Sequence, residues 1–304
     1  MSVVVAVVGP TAVGKSKLGL LLAETFNGEI VGADSRQVYR YMDIGTAKPT
    51  AEERSAVPHH LIDVVDPDGS FSVALYQSLA LKAIDQVLQR GRVPVLVGGS
   101  GLYVWSLVEG WEIPRVEPNA GFRKRLEERA AAEGGESLYR ELEKIDSKTA
   151  ASIDPRNVRR VIRALEIRHT GGAAGGPLRG KKQPPFETLI VGLTAERRSL
   201  YQMIDRRVNR MIEQGLVEEV KGLVGRGYGP DLPSMSSVGY REIGEFIGGR
   251  MDLAAAMQRI KFETHRFARH QYAWFRLNDP RIHWLDVDDQ AEDKVLEMVG
   301  EALK

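Results

Sequence analysis

The chain opens on six consecutive apolar residues, 3–8, the unbroken pattern of a strand covered on both faces in a parallel sheet. The run halts at Gly9-Pro10, and a helix is expected from about Gly14. Short apolar runs at 29–32, 93–97 and 189–193 read as further strands of the same sheet, and His283-Trp284-Leu285 as a last, shorter one. Helical periodicity fills 73–90, 196–214 and 253–269. The first three strands end in turns at Gly9, at Ala33-Asp34-Ser35 and at Gly98-Gly99-Ser100-Gly101. In an open parallel sheet such turns gather beyond the carboxyl ends of the strands, where ligands bind.

Between about Pro114 and Pro185 the pattern changes to charged amphipathic helices at 119–133, 136–143 and 157–169, with no strand among them. This predicts an α/β fold interrupted by an all-helical subdomain: a core at 1–114, an insertion at 115–188 and the second part of the core at 189–304. Residues 170–185, rich in Gly and Pro, read as a flexible linker. The chain contains no internal repeat.

Length and composition narrow the picture. At 304 residues there is room for about two domains, or one core with a large insertion. The absence of Cys excludes disulfides, thiolate zinc sites, iron–sulfur clusters and cysteine nucleophiles. No run of about 18 uncharged apolar residues occurs and the first apolar run has no basic flank, so neither a membrane span nor a signal peptide is expected, and a cytoplasmic protein is. With 42 Lys and Arg against 41 Asp and Glu, a net charge of +1 argues against a protein that coats nucleic acid. The average hides two basic patches. From 153 to 182 stand Arg156, Arg159, Arg160, Arg163, Arg168, Arg179, Lys181 and Lys182 against Asp154 and Glu166. From 259 to 276, Arg259, Lys261, Arg266, Arg269 and Arg276 alternate with Phe262, Phe267, Tyr272, Trp274 and Phe275. A solvated helix face accounts for a charge run taken alone; cations interleaved with rings suit nucleic acid.

Gly9-Pro10-Thr11-Ala12-Val13-Gly14-Lys15-Ser16 satisfies the P-loop pattern between a buried strand and a helix, the context that gives the pattern its meaning. The fold class is therefore a P-loop NTPase-like parallel sheet flanked by helices. The loop amides are expected to face a phosphate chain at a helix N-terminus, with Lys15 as a point charge and the Ser16 hydroxyl on Mg²⁺. The motif identifies a polyphosphate or pyrophosphate and leaves the reaction open. Asp34, at the end of the second strand, could serve as a base or act through water on the metal; a turn cap is the blander role for any such Asp. It stands in the segment 33–49, too polar and too punctuated by Gly and Pro for a core element, and such a loop beside a P-loop suits a substrate. His59-His60 lacks the company of a metal site and is assigned to loop structure.

These motifs make the sequence resemble one family over nearly its whole length, the tRNA dimethylallyltransferases, also called tRNA isopentenyltransferases. The resemblance is carried by the P-loop GPTAVGKS, the loop ADSRQVYRYMDIGTAKP, PHHLID at 58–63, GGSGLY at 98–103, RALE at 163–166, SVGYRE at 237–242 and RHQYAWFR at 269–276. It implies transfer of a dimethylallyl group from dimethylallyl diphosphate to the exocyclic amine of the adenosine just 3′ of the anticodon, in tRNAs reading codons that begin with U. Pyrophosphate leaves, and Mg²⁺ is the implied cofactor. By the same resemblance Asp34 accepts the amine proton, and Lys15, Ser16 and Arg207 hold pyrophosphate or Mg²⁺ within the diphosphate or nucleotide site formed by residues 9–16. Asp34, Ser35, Arg36, Gln37, Ser100, Arg123, Arg156, Arg159, Arg160, Arg163, Arg266 and Arg269 are the implied tRNA contacts, and the enzyme is expected to be a monomer.

The chemistry fits the residues. A pyrophosphate leaving group needs the same amides, lysine and metal as the β- and γ-phosphates of a nucleotide. An adenine amine is a poor nucleophile, so a base is useful, and a stacked base must first be extruded, which costs a few kcal/mol. The basic insertion helix and the C-terminal basic-aromatic helix are the expected clamps on the stem-loop, with core packing favoured for Trp274 and Phe275. The sequence departs from the family at Ser100, where many members have Thr, and at His265, His270 and Ala273, where Arg, Arg and Thr are usual. Three alternatives stay open: a P-loop kinase of a small substrate, an isopentenyltransferase acting on free adenine nucleotides, and an NTP-dependent RNA-binding switch.

Overall fold

The computed structural model describes residues 2–114, 116, 119–170, 180–288 and 290–304. In chain order the first elements are β1 (Val3–Val8), α1 (Lys15–Thr25), β2 (Gly28–Gly32), α2 (Ala51–Ala56), β3 (His59–His60), α3 (Val73–Gln89), β4 (Val93–Val97) and α4 (Gly101–Val108). Then come β5 (Trp111–Glu112), α5 (Ala120–Glu133), α6 (Gly135–Ile145), α7 (Ser147–Ala151), α8 (Val158–His169) and β6 (Gly180–Lys181). The chain continues with β7 (Glu187–Thr194), α9 (Arg197–Glu213), α10 (Leu216–Gly225), α11 (Tyr240–Ile247), α12 (Leu253–Trp274), β8 (Ile282–Asp286) and α13 (Ala291–Ala302).

Two compact units result. The first joins Met1–Val108 to Pro184–Lys304. Its six strands form one parallel sheet in the order β3-β2-β4-β1-β7-β8. Val4 to Val8 of β1 are all buried, because β1 lies inside the sheet with Val5 level with Val95 on one side and Leu189 on the other. The strand after β1 in sequence pairs with β4 and not with β1, so the chain reverses direction across the sheet at the P-loop, where ligand crevices form. Helix α9 packs by Leu200, Ile204 and Val208, spaced one turn apart, which places Arg207 at the edge of that buried stripe.

The second unit is Glu109–Gln183. Its core is built by Leu126 of α5, Leu138 and Leu142 of α6, and Val161, Ile162 and Leu165 of α8. The expectation of a strand-free insertion is corrected at its ends: Trp111 pairs with Lys181 and Glu112 with Gly180, antiparallel. Two-residue strands are too short to show as periodicity. That pairing carries the unit's limits outward from residue 115 to Glu109, while its far end falls at Gln183 and not 188. Residues 171–179 of the expected linker lie outside the described residues.

His59-His60 also departs from the expected loop. The pair forms edge strand β3 against Ile30 and Val31, and His60 Nε2 lies 2.6 Å from the buried Glu29 carboxylate. Helices α10, α11 and α13 add to the two helices expected after residue 189. Among the described residues, no helix is long and apolar enough to cross a membrane.

Candidate active site

The P-loop owes its shape to its glycines. Gly9 (φ 135°) and Gly14 (φ 99°) hold backbone angles that residues with a Cβ rarely adopt, and a Cβ on Gly9 would collide with the Leu193 carbonyl of β7. Ala12 takes a left-handed conformation without being glycine (φ 67°), which stores strain at the crown of the loop. The loop then enters α1, whose first turn has unpaired amides and the positive end of the helix dipole. Beside it opens a cavity of about 1300 Å³, lined by Gly14, Lys15, Ser16, Arg206, Arg207 and Arg210 among others.

Around Lys15 and Arg207 the charges are poorly balanced. Lys15 donates to the Pro10 carbonyl at 2.6 Å, and burial, with the Arg207 charge adding to it, lowers its pKa to about 7; Asp34 opposes the shift. Burial likewise lowers the pKa of Arg207, against the pull of Asp34 and with the push of Arg210. Asp34 is the carboxylate that acts on both cations, and an anion entering between them would relieve both.

Asp34 belongs to a second, interlocked turn. Its Oδ1 accepts from the Arg36 amide at 2.8 Å, which is the turn-capping role any Asp could play, and among the described residues its other oxygen accepts no hydrogen bond. Ser100 closes the turn from β4: its Oγ accepts from Ser35 N at 3.0 Å and its amide donates to the Ala33 carbonyl at 3.2 Å. Gly98 is required there, since a Cβ would overlap the Ala33 backbone. Arg36 reaches the Pro233 carbonyl, and Gln37 Nε2 donates to the carbonyls of Thr46 and Ala47. A smaller cavity of about 80 Å³ joins Lys15, Asp34, Gln37, Arg207, Phe267 and Gln271. The P-loop, Asp34, Ser35, Gln37, Ser100 and Arg207 are therefore brought together.

Three residues to which the sequence reading gave no role hold this arrangement. Glu219 of α10 accepts from the successive amides of Asp43, Ile44 and Gly45 and from the Tyr240 hydroxyl, fixing the loop after β2. The Lys48 side chain, 1% exposed, donates to the Tyr39 carbonyl and to Asp43 and Asp63, each at 2.6 Å. Gln271 of α12 joins the P-loop to the β4 turn. Glu219 acts across 175 residues and Gln271 across 260, so no local pattern announces either.

The expected tRNA-binding cations divide. In the second unit, Arg123 and Arg163 both converge on Glu166, which is fully buried; burial pushes the Glu166 carboxyl up, but these bonds outweigh it and hold the pKa below the usual range. Arg156 folds onto Asp154. Arg159 and Arg160 are exposed and, among the described residues, make no ion pair. In the first unit, Arg269 donates to the Tyr201 hydroxyl and Arg266 is exposed, 3.9 Å from Glu263. Phe275 is fully buried, as core packing requires, but the packing expected of Trp274 is corrected: its carbonyl accepts from Trp105 Nε1, yet its side chain is exposed at the end of α12, as are the rings of Phe262 and Phe267. Among the described residues no cluster of three His, Asp or Glu side chains could hold a metal. Mg²⁺ needs fewer: it keeps its waters and is bound by substrate phosphates with one or two protein oxygens, a demand that the Ser16 hydroxyl at the cavity fits.

The sequence model of the IPP transferase family, IPPT, matches residues 37–278, a span that begins just after Asp34 and the P-loop. A tRNA dimethylallyltransferase of Thermomicrobium roseum is 52% identical over 284 residues, which is 93% of this chain and 86% of that protein. Another of Roseiflexus sp. is 54% identical over 272 residues, 90% and 89% of the two chains. Among solved structures, the tRNA isopentenylpyrophosphate transferase of Bacillus halodurans superposes with a TM-score of 0.72 at 43% identity, covering 99% of this chain and 96% of that one. A eukaryotic dimethylallyltransferase described as acting on tRNA superposes with a TM-score of 0.83 at 26% identity, covering 100% and 80%.

Proposed function

The chain belongs to the tRNA dimethylallyltransferase family, and from that premise we propose that it transfers a dimethylallyl group from dimethylallyl diphosphate to the N6 amine of the adenosine 3′-adjacent to the anticodon, in tRNAs reading codons that begin with U. The observation that carries this reading is that Lys15, Arg207 and Asp34 line one small cavity at the P-loop, where burial and the crowding of cations lower the pKa of both Lys15 and Arg207. Such a site favours a diphosphate that departs with a growing negative charge. As N6 bonds to the allylic carbon, the bond from that carbon to the diphosphate oxygen breaks, and its electron pair leaves with the diphosphate. The N6 proton passes to Asp34. Lys15 and Arg207 neutralise the leaving group, and the P-loop fixes its orientation. Mg²⁺, when bound through the Ser16 hydroxyl, supplies further charge neutralisation of the diphosphate.

Ser35, Arg36, Gln37 and Ser100 would shape the pocket for the extruded base, while Arg159, Arg160, Arg266 and Arg269 supply phosphate contacts in the two units. The protein would act as a monomer in the cytoplasm, where unmodified tRNA is found. A kinase of the same fold would instead transfer or hydrolyse a nucleotide phosphate. The test is to follow pyrophosphate release from dimethylallyl diphosphate and phosphate release from ATP, each with and without unmodified tRNA. Pyrophosphate release that requires tRNA supports the transferase; phosphate release from ATP with no pyrophosphate from the prenyl donor would overturn it.

A further inference from the structure

Gln271 is 4% exposed on a helix whose neighbouring polar residues mostly face solvent. Its amide meets two of the turns that build the site: Oε1 accepts from the Thr11 amide of the P-loop at 2.7 Å, and Nε2 donates to the Gly99 carbonyl at 2.9 Å. The fit is close enough that a Cβ on Gly99 would collide with Nε2. Gly99 leads directly into Ser100, whose hydroxyl and amide hold Ser35 and Ala33 on either side of Asp34. One side chain therefore links the diphosphate loop to the turn that carries the base, and it lines the same small cavity as Lys15, Asp34 and Arg207.

The chemistry of the position is specific. The two backbone groups need an acceptor and a donor from one rigid planar group, which a glutamine amide offers and an ionised carboxylate or a thioether does not. A shorter side chain would leave the Thr11 N–H and the Gly99 carbonyl unpaired in the cavity wall. We propose that Gln271 is a positioning residue for the transfer reaction, setting the spacing between the diphosphate cradle and Asp34 so that attack by N6 and departure of the diphosphate share one line. The inference rests on the transferase reading above.

The test compares wild type, Q271A, Q271E, S100A and the double variant Q271A/S100A in single-turnover transfer to unmodified tRNA at saturating dimethylallyl diphosphate. Rates are normalised to folded enzyme by thermal melts, and tRNA Kd is measured in parallel. Misplacing the reacting groups by about 1 Å costs roughly 10²-fold, so Q271A should lower the rate about 10- to 100-fold. Its tRNA Kd should stay within about twofold, because phosphate contacts dominate that affinity. Protonated Glu reproduces the donor and acceptor of Gln, whereas ionised Glu loses the donor. The rate of Q271E relative to wild type should therefore rise as pH falls from about 8 to about 6, a trend that loss of stability alone would not produce. The double variant should lose less than the product of the single losses, since both residues act on one chain of contacts. A normalised Q271A rate within about twofold of wild type, or a Q271E profile parallel to wild type, would overturn the inference while wild type still forms product. Wild type that forms no product on tRNA would overturn the transferase reading, and the inference with it.

Discussion

Lys15 is the residue whose charge is most finely balanced. With its pKa lowered to about 7 by burial and by Arg207, it is largely protonated below neutrality and largely neutral above it. A diphosphate bound beside it favours the ammonium and raises that pKa again. Binding of Mg²⁺ and pyrophosphate should therefore take up a proton above about pH 7 and weaken as pH rises, with little such dependence below. Calorimetry in buffers of different ionisation enthalpy measures the uptake; Lys15→Arg, which stays charged, should reduce it, and equal uptake in the variant would place the proton elsewhere. At Asp34 the expected effect is on chemistry. Asp34→Ala should slow the chemical step about 10²- to 10⁴-fold, the range of a lost general base, with tRNA affinity changed far less. Comparable losses in rate and affinity would make Asp34 a substrate-binding group instead.

At the scale of elements, charge in the sequence and charge available to a ligand are different things. Of the five arginines that mark α8 and its approach as basic, Arg156, Arg163 and Arg168 are engaged by Asp154, Glu166 and Asp146, and Arg159 and Arg160 make no ion pair among the described residues. Reversing Arg159 or Arg160 should weaken tRNA binding and reduce the magnitude of its salt slope by about 0.7–0.9 for each phosphate no longer neutralised, without affecting dimethylallyl diphosphate. An unchanged slope, read from filter binding across salt concentrations, would remove α8 from the tRNA interface. Glu166 has the opposite role. Glu166→Ala strands two guanidiniums that retain roughly a third of their exposure, so the loss should lie near the low end for a broken buried pair, about 3 kcal/mol, measurable by denaturant melts. Because the Glu166 pKa is depressed on folding, its contribution is present above the ordinary Glu range and is lost as pH falls through the lowered folded value. Wild type should accordingly lose more stability on acidification than Glu166→Ala.

Across the whole molecule, what could be read from sequence follows the distance over which each feature acts. The P-loop, the Asp34 turn and the Gly98-Gly99-Ser100 turn are local: each lies between a recognisable strand and the next element, and parallel pairing of β2, β4 and β1 brings all three to one edge. Glu219 and Gln271 reach the site from α10 and α12 across most of the chain's length, and their partners are backbone groups that any residue supplies. Arg163 and Glu166 are three residues apart and their pairing was within reach of helix spacing, but Arg123 joins them from 43 residues away. The two-residue strands β3, β5 and β6 exist through their pairing and have no periodicity of their own.

If a diphosphate leaves from this P-loop as an adenosine amine on tRNA is alkylated, donor, acceptor and product must be found together in one reaction. The most direct measurement incubates the purified protein with Mg²⁺, dimethylallyl diphosphate and unmodified tRNA, with AMP, ADP and ATP offered as acceptors in a parallel reaction, and maps the products by mass spectrometry of nuclease fragments and nucleosides. A single dimethylallyl group is expected on the adenosine 3′ of the anticodon and none on the free nucleotides. Prenylated free nucleotides with unmodified tRNA, or no prenylated product in either reaction, would contradict that expectation.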